Sequence, residues 1–354
     1  MKKIYGILLL ILGFTVIAIQ CSSKQEEYQL RTIAFYNLEN LFDTEDDFEK
    51  LDEKSPMMKI TRDRDEIYNK KLNHLAKVIA DIGSEHSKSR PSILGVAEVE
   101  NRSVLEDLLN SPLLKDRNYE IIHYDSPDLR GIDVALIYQP TIFRPIHHEV
   151  FELKLWSEKG GRIYTRDQLL VSGYLDDELI HLIVNHWPSR RGGEARSSKK
   201  REKAAYLNQK IIAQIRLSDA NAKVLIMGDF NDNPTNKSFK KVLNTKKNMD
   251  DVEAQDIYNP YEKKFGKGFN TLVYRDQLHL FDQILYTAPL VSDKEFNDYK
   301  VYKSAIFRPS YLTTKSGKYK GYPHRSFSGS RFINGYSDHY PVYVQLIRKL
   351  KTQQ

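Results

Sequence analysis

Short runs dense in Ile, Leu, Val and Tyr recur from about Tyr28 to about Ile347. QLRTIAFYN, SILGVAEV, YEIIHY, DVALIYQP, QLLVSGYL, LIHLIVNHW, KVLIMGDF, LFDQILY and YPVYVQLI each read as strands. Several are apolar on both faces, the pattern of a sheet covered by helices. Between them, Asp65–Ile82 places Ile67, Leu72, Leu75, Ile79 and Ile82 near one helical face, and Ala195–Ile215 predicts a second helix with a strongly basic start. Asn101–Leu109 predicts a shorter one. Asp43–Arg64, Asn244–Lys267 and Phe307–Asn334 read as long loops, and loops of that length in a compact domain are often functional. With no repeat and no linker in mid-chain, residues 30–348 read as one α/β domain of mixed strands with helices outside.

The first twenty residues follow a different pattern. A short cationic head, Lys2 and Lys3, precedes an uncharged apolar stretch from Ile4 to Gln20, which is marginal in length for a spanning helix. Cys21 follows, and it is the single cysteine, so an intrachain disulfide and a cysteine-based zinc site are both excluded. The arrangement resembles a bacterial lipoprotein signal over residues 1–20, with acylation at Cys21 and residues 21–29 as a tether. The chain is then expected to be exported, lipid-anchored in the cell envelope and monomeric; the competing reading is a retained one-pass anchor. Composition adds little. The formal charge of +7 becomes +5 without the leader, with 52 basic against 47 acidic residues, a mild bias toward anionic partners such as phosphate esters.

Candidate chemistry lies at the strand ends. Asn37 and Glu39 close the first strand, Glu98 and Glu100 the second, and His186 ends LIVNHW. Asp229 and Asn231 end LIMGDFN, Asp282 lies in LFDQILY, and Asp338–His339 precede the last strand. In layered α/β folds, sites form where several strands deliver side chains beyond their ends. Asn, Asp, Glu and His without a thiol make a hard donor set suited to a magnesium-type ion. Taken singly, each piece has a structural reading too. GDFN could be a turn or helix cap, Glu98 a cap or surface acid, and Asp338–His339 a structural pair. A carboxylate at Asp282, among apolar neighbours, needs a partner if buried.

Together and in order, Asn37, Glu98 of AEV, His186 of VNHW, GDFN at Asp229–Asn231, Asp282 of FDQIL and SDH at Ser337–His339 resemble the endonuclease/exonuclease/phosphatase superfamily. The match spans about Thr32–Val342. It implies a four-layered α/β/β/α sandwich, deoxyribonuclease I-like, and a metal-dependent phosphoesterase using Mg²⁺, with Mn²⁺ or Ca²⁺ as alternatives. By the same resemblance Glu98 is the main metal ligand, supported by Asn37 and Asp338. Asp229 and Asn231 hold the attacking water, Asp282 orients His339, and His339 and His186 donate to phosphate oxygens or move a proton. Arg166 resembles an arginine placed to touch phosphate; Arg130, Arg190 and Asn185 are further candidates for that contact. Asp232 reads as a turn residue, and Glu39 and Glu100 as supports. Endonuclease or phosphodiesterase activity on DNA or RNA is the leading expectation, helped by Arg308, Lys315, Lys318, Lys320 and Arg325 in the last long loop. A lipid or sugar-phosphate phosphatase, or a sphingomyelinase-like enzyme, is the rival. Outside enzymes stand a non-catalytic lipoprotein binding module and a calcium-stabilised adhesion module, the second of which leaves two histidines among the acids unexplained.

Overall fold

The structure, a computed structural model, describes residues 26–85, 89–291 and 295–350. The expected leader, Cys21 and most of the tether lie outside the described residues. The described chain opens with β1 (Tyr28–Leu41), runs through α1 (Arg64–Asp81) to β2 (Pro91–Val99), and through α2 (Arg102–Leu109) to β3 (Glu120–His123), β4 (Asp133–Tyr138) and β5 (Phe143–Phe151). Next come β6 (Gln168–Leu175), β7 (Glu178–His186), α3 (Glu194–Ser218), β8 (Val224–Asp229) and β9 (Ile257–Tyr258). The chain ends with α4 (Tyr261–Gly266), β10 (Asp282–Thr287), β11 (Lys300–Ile306) and β12 (Val342–Lys349).

Two six-stranded sheets form, ordered β11-β12-β1-β2-β4-β3 and β9-β10-β8-β7-β6-β5. Alternation along β1 shows how they pack. Ile33 and Phe35 face the other sheet, whereas Ala34, Tyr36 and Leu38 face the helices. Between the sheets, Leu136 and Val344 meet Val171, Val184 and Met227 in a buried layer. The sheets approach closely at Gly95, where a Cβ would lie 2.6 Å from Met227 Sδ. Outside the first sheet, α1 and α2 bury Leu72, Leu75, Ile79 and Leu105, and the Asn101 side chain caps α2 by accepting from Val104 N. Outside the second, α3 buries Ala204, Ile211 and Ile215 against Ile183, Ile226 and Leu285. The expected four-layered α/β/β/α sandwich is the fold.

Nine strands were read from hydrophobic runs, and three more complete the sheets: β5, β9 and β11. All three are edge strands. The Asn244–Lys267 segment, expected to be loop, contains β9 and α4, because Ile257, Tyr258 and Tyr261 are buried against the second sheet. No helix among the described residues is long and apolar enough to cross a membrane.

Strand direction gathers the polar residues. β1 and β2 run parallel, as do β7 and β8, so each pair ends on one rim. β12 is antiparallel to β1, and β10 to β8, so both begin on that same rim.

Candidate active site

Glu98 sits at an irregularity in β2. The ladder to β4 passes from Ala97 to Val99 and skips it, and its φ of 60° is left-handed. A non-glycine residue held there costs on the order of 1–3 kcal/mol, a strain that concentrates at functional sites; bulges commonly re-aim a side chain. One carboxylate oxygen accepts from Asn40 N at 2.9 Å. The other, Oε1, faces His186 Nε2 at 3.9 Å.

The second sheet supplies the deeper half. Asp229 ends β8 and is buried. Its Oδ1 accepts from Asn231 N at 2.9 Å, a turn for which Asn231 adopts a φ of 51°, and its Oδ2 accepts from Asn37 Nδ2 at 3.1 Å. That last bond ties the two sheets together at the rim. His186 Nε2 lies 3.7 Å from the same Oδ2, and His339 Nε2 lies 4.0 Å from it. Behind His339, Asp282 Oδ2 accepts from Nδ1 at 2.7 Å, a second tie between the sheets. Asp338 lies beside them, its Oδ1 4.0 Å from His339 Nε2. Segments as far apart in the chain as Asn37 and His339 thus converge on one small space.

The electrostatics divide the two histidines. Burial disfavours charge on His339, but Asp282, then Asp229, outweigh it and hold its pKa well above 6.5. For His186 burial acts unopposed, reinforced by Arg166 and Arg130, and its pKa falls well below 6.5. Burial likewise raises Asp229, partly offset by His339. One imidazole is therefore a cation at neutral pH and the other is neutral.

The sequence pattern of the endonuclease/exonuclease/phosphatase family matches residues 32–348. The chain belongs to that family. It is a metal-dependent phosphoric ester hydrolase, as members of the family are. No curated protein matches it in sequence. Among solved structures, an endonuclease/exonuclease/phosphatase family protein from Bacteroides thetaiotaomicron is similar, with 18% identity over 92% of this chain and 100% of that one, at a TM-score of 0.53. A mannosyl-6-phosphatase of Bacteroides thetaiotaomicron shares 18% over 89% and 99%, with a TM-score of 0.52. Truncated TDP2 from Caenorhabditis elegans shares 13% over 90% and 97%, with a TM-score of 0.52. These likenesses show the fold.

The donor set fits the family's divalent metal. Glu98, His186 and Asp229 each offer an atom within 4.8 Å of the others, and so do Asp229, Asp282 and His339. Among the described residues His186 Nδ1 is buried without a partner, and its Nε2 faces two carboxylates from beyond hydrogen-bond reach. Groups spaced in that way leave room for a further atom among them. Asn37 serves Asp229 through its amide nitrogen, while its oxygen accepts from Glu39 N at 2.9 Å.

The arginines expected to contact phosphate separate into kinds. Arg166 is buried, donating to Asp128 and to Trp187 O, with its Nε unpartnered among the described residues. Arg130 is exposed and lies 3.5 Å from Asp128. Two expectations are corrected. Arg190 is committed to Asn231 O, Asp232, Asn236 and Glu194, so it braces the Asp229–Asn231 turn from behind and has no free edge for phosphate. Asn185 faces α3, donating to Met227 O and accepting from Asn208 and Trp187, because successive side chains on β7 point to opposite faces.

Asp232, Arg201 and Lys71 are supports that no motif marks, whereas Glu39 is expected as one. Asp232 is no simple turn residue: it is buried and pairs with Arg201 at 2.6 Å and with Ser238 at 2.7 Å. Glu39 accepts from Ser326 N at 2.6 Å and Arg325 Nε at 3.2 Å, clamping the last long loop to the site. Arg325 then reaches Asp338 at 3.0 Å. Beneath them Lys71, fully buried, donates to Leu38 O, Glu39 O and Ser326 Oγ; burial lowers its pKa and raises that of Glu39. A lysine on the apolar face of a predicted helix was the one available signal.

Proposed function

We propose that this chain is a phosphodiesterase of the endonuclease type, hydrolysing P–O bonds by direct attack of water. The observation that carries the reading is the shared oxygen. Asp229 Oδ2 faces His186 and His339 together, with Asp282 behind one histidine and Glu98 beside the other. Asp229 holds the attacking water, helped by Asn231, whose amide donates to Trp187 O and so leaves its carbonyl oxygen for that water. Burial makes Asp229 a better base than a solvent-exposed carboxylate. His339, held cationic by Asp282, donates to a non-bridging phosphate oxygen; neutral His186 can accept or pass a proton. A divalent cation bound at Glu98, with Asn37 and Asp338 beside it, would neutralise a phosphate oxygen and stabilise the leaving oxygen.

A nucleic-acid substrate is favoured by exposed Lys315, Lys318 and Lys320 on the loop clamped over the site, together with the net positive charge. Likeness to a mannosyl-6-phosphatase supports a sugar-phosphate phosphatase as the second reading. We also propose export and lipid attachment at Cys21, on the leader pattern alone.

The fold runs from Tyr28 to Lys349, so a chain beginning at residue 22 keeps all of it. That protein should cleave plasmid DNA and bis-p-nitrophenyl phosphate with Mg²⁺ or Mn²⁺ and stop with EDTA. Turnover of sugar phosphates with neither diester touched would transfer the assignment to the second reading. No turnover on a panel that adds RNA, phosphoinositide and sphingomyelin would overturn both.

A further inference from the structure

On the outer face of the second sheet, a groove of about 640 Å³ runs between the start of α3 and the hairpin Leu155–Ile163. Lys159, Arg191, Arg196, Lys199, Lys200 and Lys203 line it, against a single acid, Glu158. None of the six forms an ion pair among the described residues, and nearby carboxylates are already engaged. Glu194 holds Arg190, Glu152 holds Arg162, and Glu202 accepts from Ser198. Cations crowded on a concave surface repel one another and focus the field that draws in a polyanion.

Trp156 adds a second, independent feature. The hairpin presents its indole with 51% of the residue exposed. Buried Leu155 anchors the strand below it, Arg162 lies 5.1 Å from the ring centroid, and Lys203 lies 5.9 Å away. Half-exposed indoles flanked by cations are the platforms on which unpaired bases stack. The groove also connects to the catalytic turn. Arg190 bonds Asn231 O, and the next residue, Arg191, lines the groove. Arg201 of α3 is buried against Asp232, while Lys200 and Lys203 beside it face the groove.

We propose that this groove binds single-stranded nucleic acid, its phosphates on the α3 cations and a base on Trp156. The inference rests on the phosphodiesterase reading and deepens it: the same strand would continue to the catalytic turn. Arg196 and Lys203 lie about two helical turns apart, roughly 10 Å along the axis, enough for a few successive phosphates.

The test measures fluorescence anisotropy of a labelled single-stranded 12-mer in EDTA, where binding proceeds without cleavage. Arg196→Glu/Lys199→Glu should weaken binding tenfold or more. Its slope of log affinity against log salt should be lower by about 1.4, two contacts' worth on a single strand. Trp156→Ala should weaken binding roughly tenfold with the slope retained. Both variants should hydrolyse bis-p-nitrophenyl phosphate as the parent does. Parent-like oligonucleotide binding in both variants overturns the groove, as does loss confined to phosphatidylglycerol vesicles. A parent protein that binds the 12-mer through the groove but hydrolyses no ester refutes the catalytic reading instead, so the two failures remain distinct.

Discussion

The two halves of the site differ in their exposure to water. On the rim, the side chains of Glu98 and Asp338 are 19% and 26% exposed, and each keeps an oxygen toward the opening. Deeper in, Asp229 is 3% exposed and Asp282 is fully buried, and both are tied by hydrogen bonds from the other sheet. The open half pairs Asp338 with Arg325 but gives Glu98 only the neutral His186 among the described residues, which leaves negative charge there for a cation. In the closed half the side chains are fixed by their partners, so on the proposed mechanism they would hold water and aim the imidazole at no further cost in ordering. On that reading the same rim would provide an electrostatic sink and a rigid proton apparatus.

If this division holds, damage to the closed half is the more severe and cannot be repaired from solution. His339→Ala and Asp229→Asn should each lower kcat on bis-p-nitrophenyl phosphate by on the order of 10²-fold or more, with no recovery at high Mg²⁺. Parent-like turnover in either would break the assignment. Glu98→Gln should behave differently. It weakens a ligand on the open side, so the Mg²⁺ concentration for half-maximal rate should rise roughly tenfold, and activity should return as metal is added. A titration in which excess metal restores Asp229→Asn but leaves Glu98→Gln inactive would reverse the two roles.

A third change sharpens the closed half through pH. The His339 pKa is raised, so its charge is complete below about 6.5 and is lost as pH climbs through the raised value. Activity that needs the imidazolium therefore declines on the alkaline side. Asp282→Asn removes the strongest influence raising that pKa, and the alkaline limb of kcat/KM should move to lower pH. The stability contributed by the pair moves the same way, present at lower pH and fading as pH rises. An alkaline limb that stays in place would separate His339 from the rate-limiting proton.

How much of this was legible beforehand follows from what each residue does. The nine strands read correctly are rich in apolar side chains, whereas β5 carries mostly exposed or half-exposed residues and β9 has two residues. Edge strands pair on one side and need less apolar surface, so their pattern is weak. At the site, Asp229, Asn231, Asp282, His186, His339, Glu98, Asn37 and Asp338 lie in short motifs, and the fold brings them together. Asn185 and Arg190 were misplaced for the opposite reason. Adjacency in sequence to His186 or to the HWPS segment says nothing of which face a side chain takes, and both turn toward α3. Lys71 and Arg201 do their work through partners 255 and 31 residues distant, which no local pattern reports.

The smallest effect tests the arginines across the same divide. Arg166 is buried and spends two nitrogens on Asp128 and Trp187 O; Arg130 shares Asp128 but leaves its guanidinium in water. A solvated charge contributes up to about 1 kcal/mol to a contact, so Arg130→Ala should raise KM roughly two- to fivefold while kcat stays near the parent value. Uniform binding lost without a change in kcat is the signature of a group that meets substrate and transition state alike. A fall in kcat instead would mean that Arg130 acts on His186, whose pKa it helps depress, and the open half would then reach into the proton chemistry. Raising the ionic strength should erase a KM effect and leave a kcat effect standing, because only the exposed contact is screened.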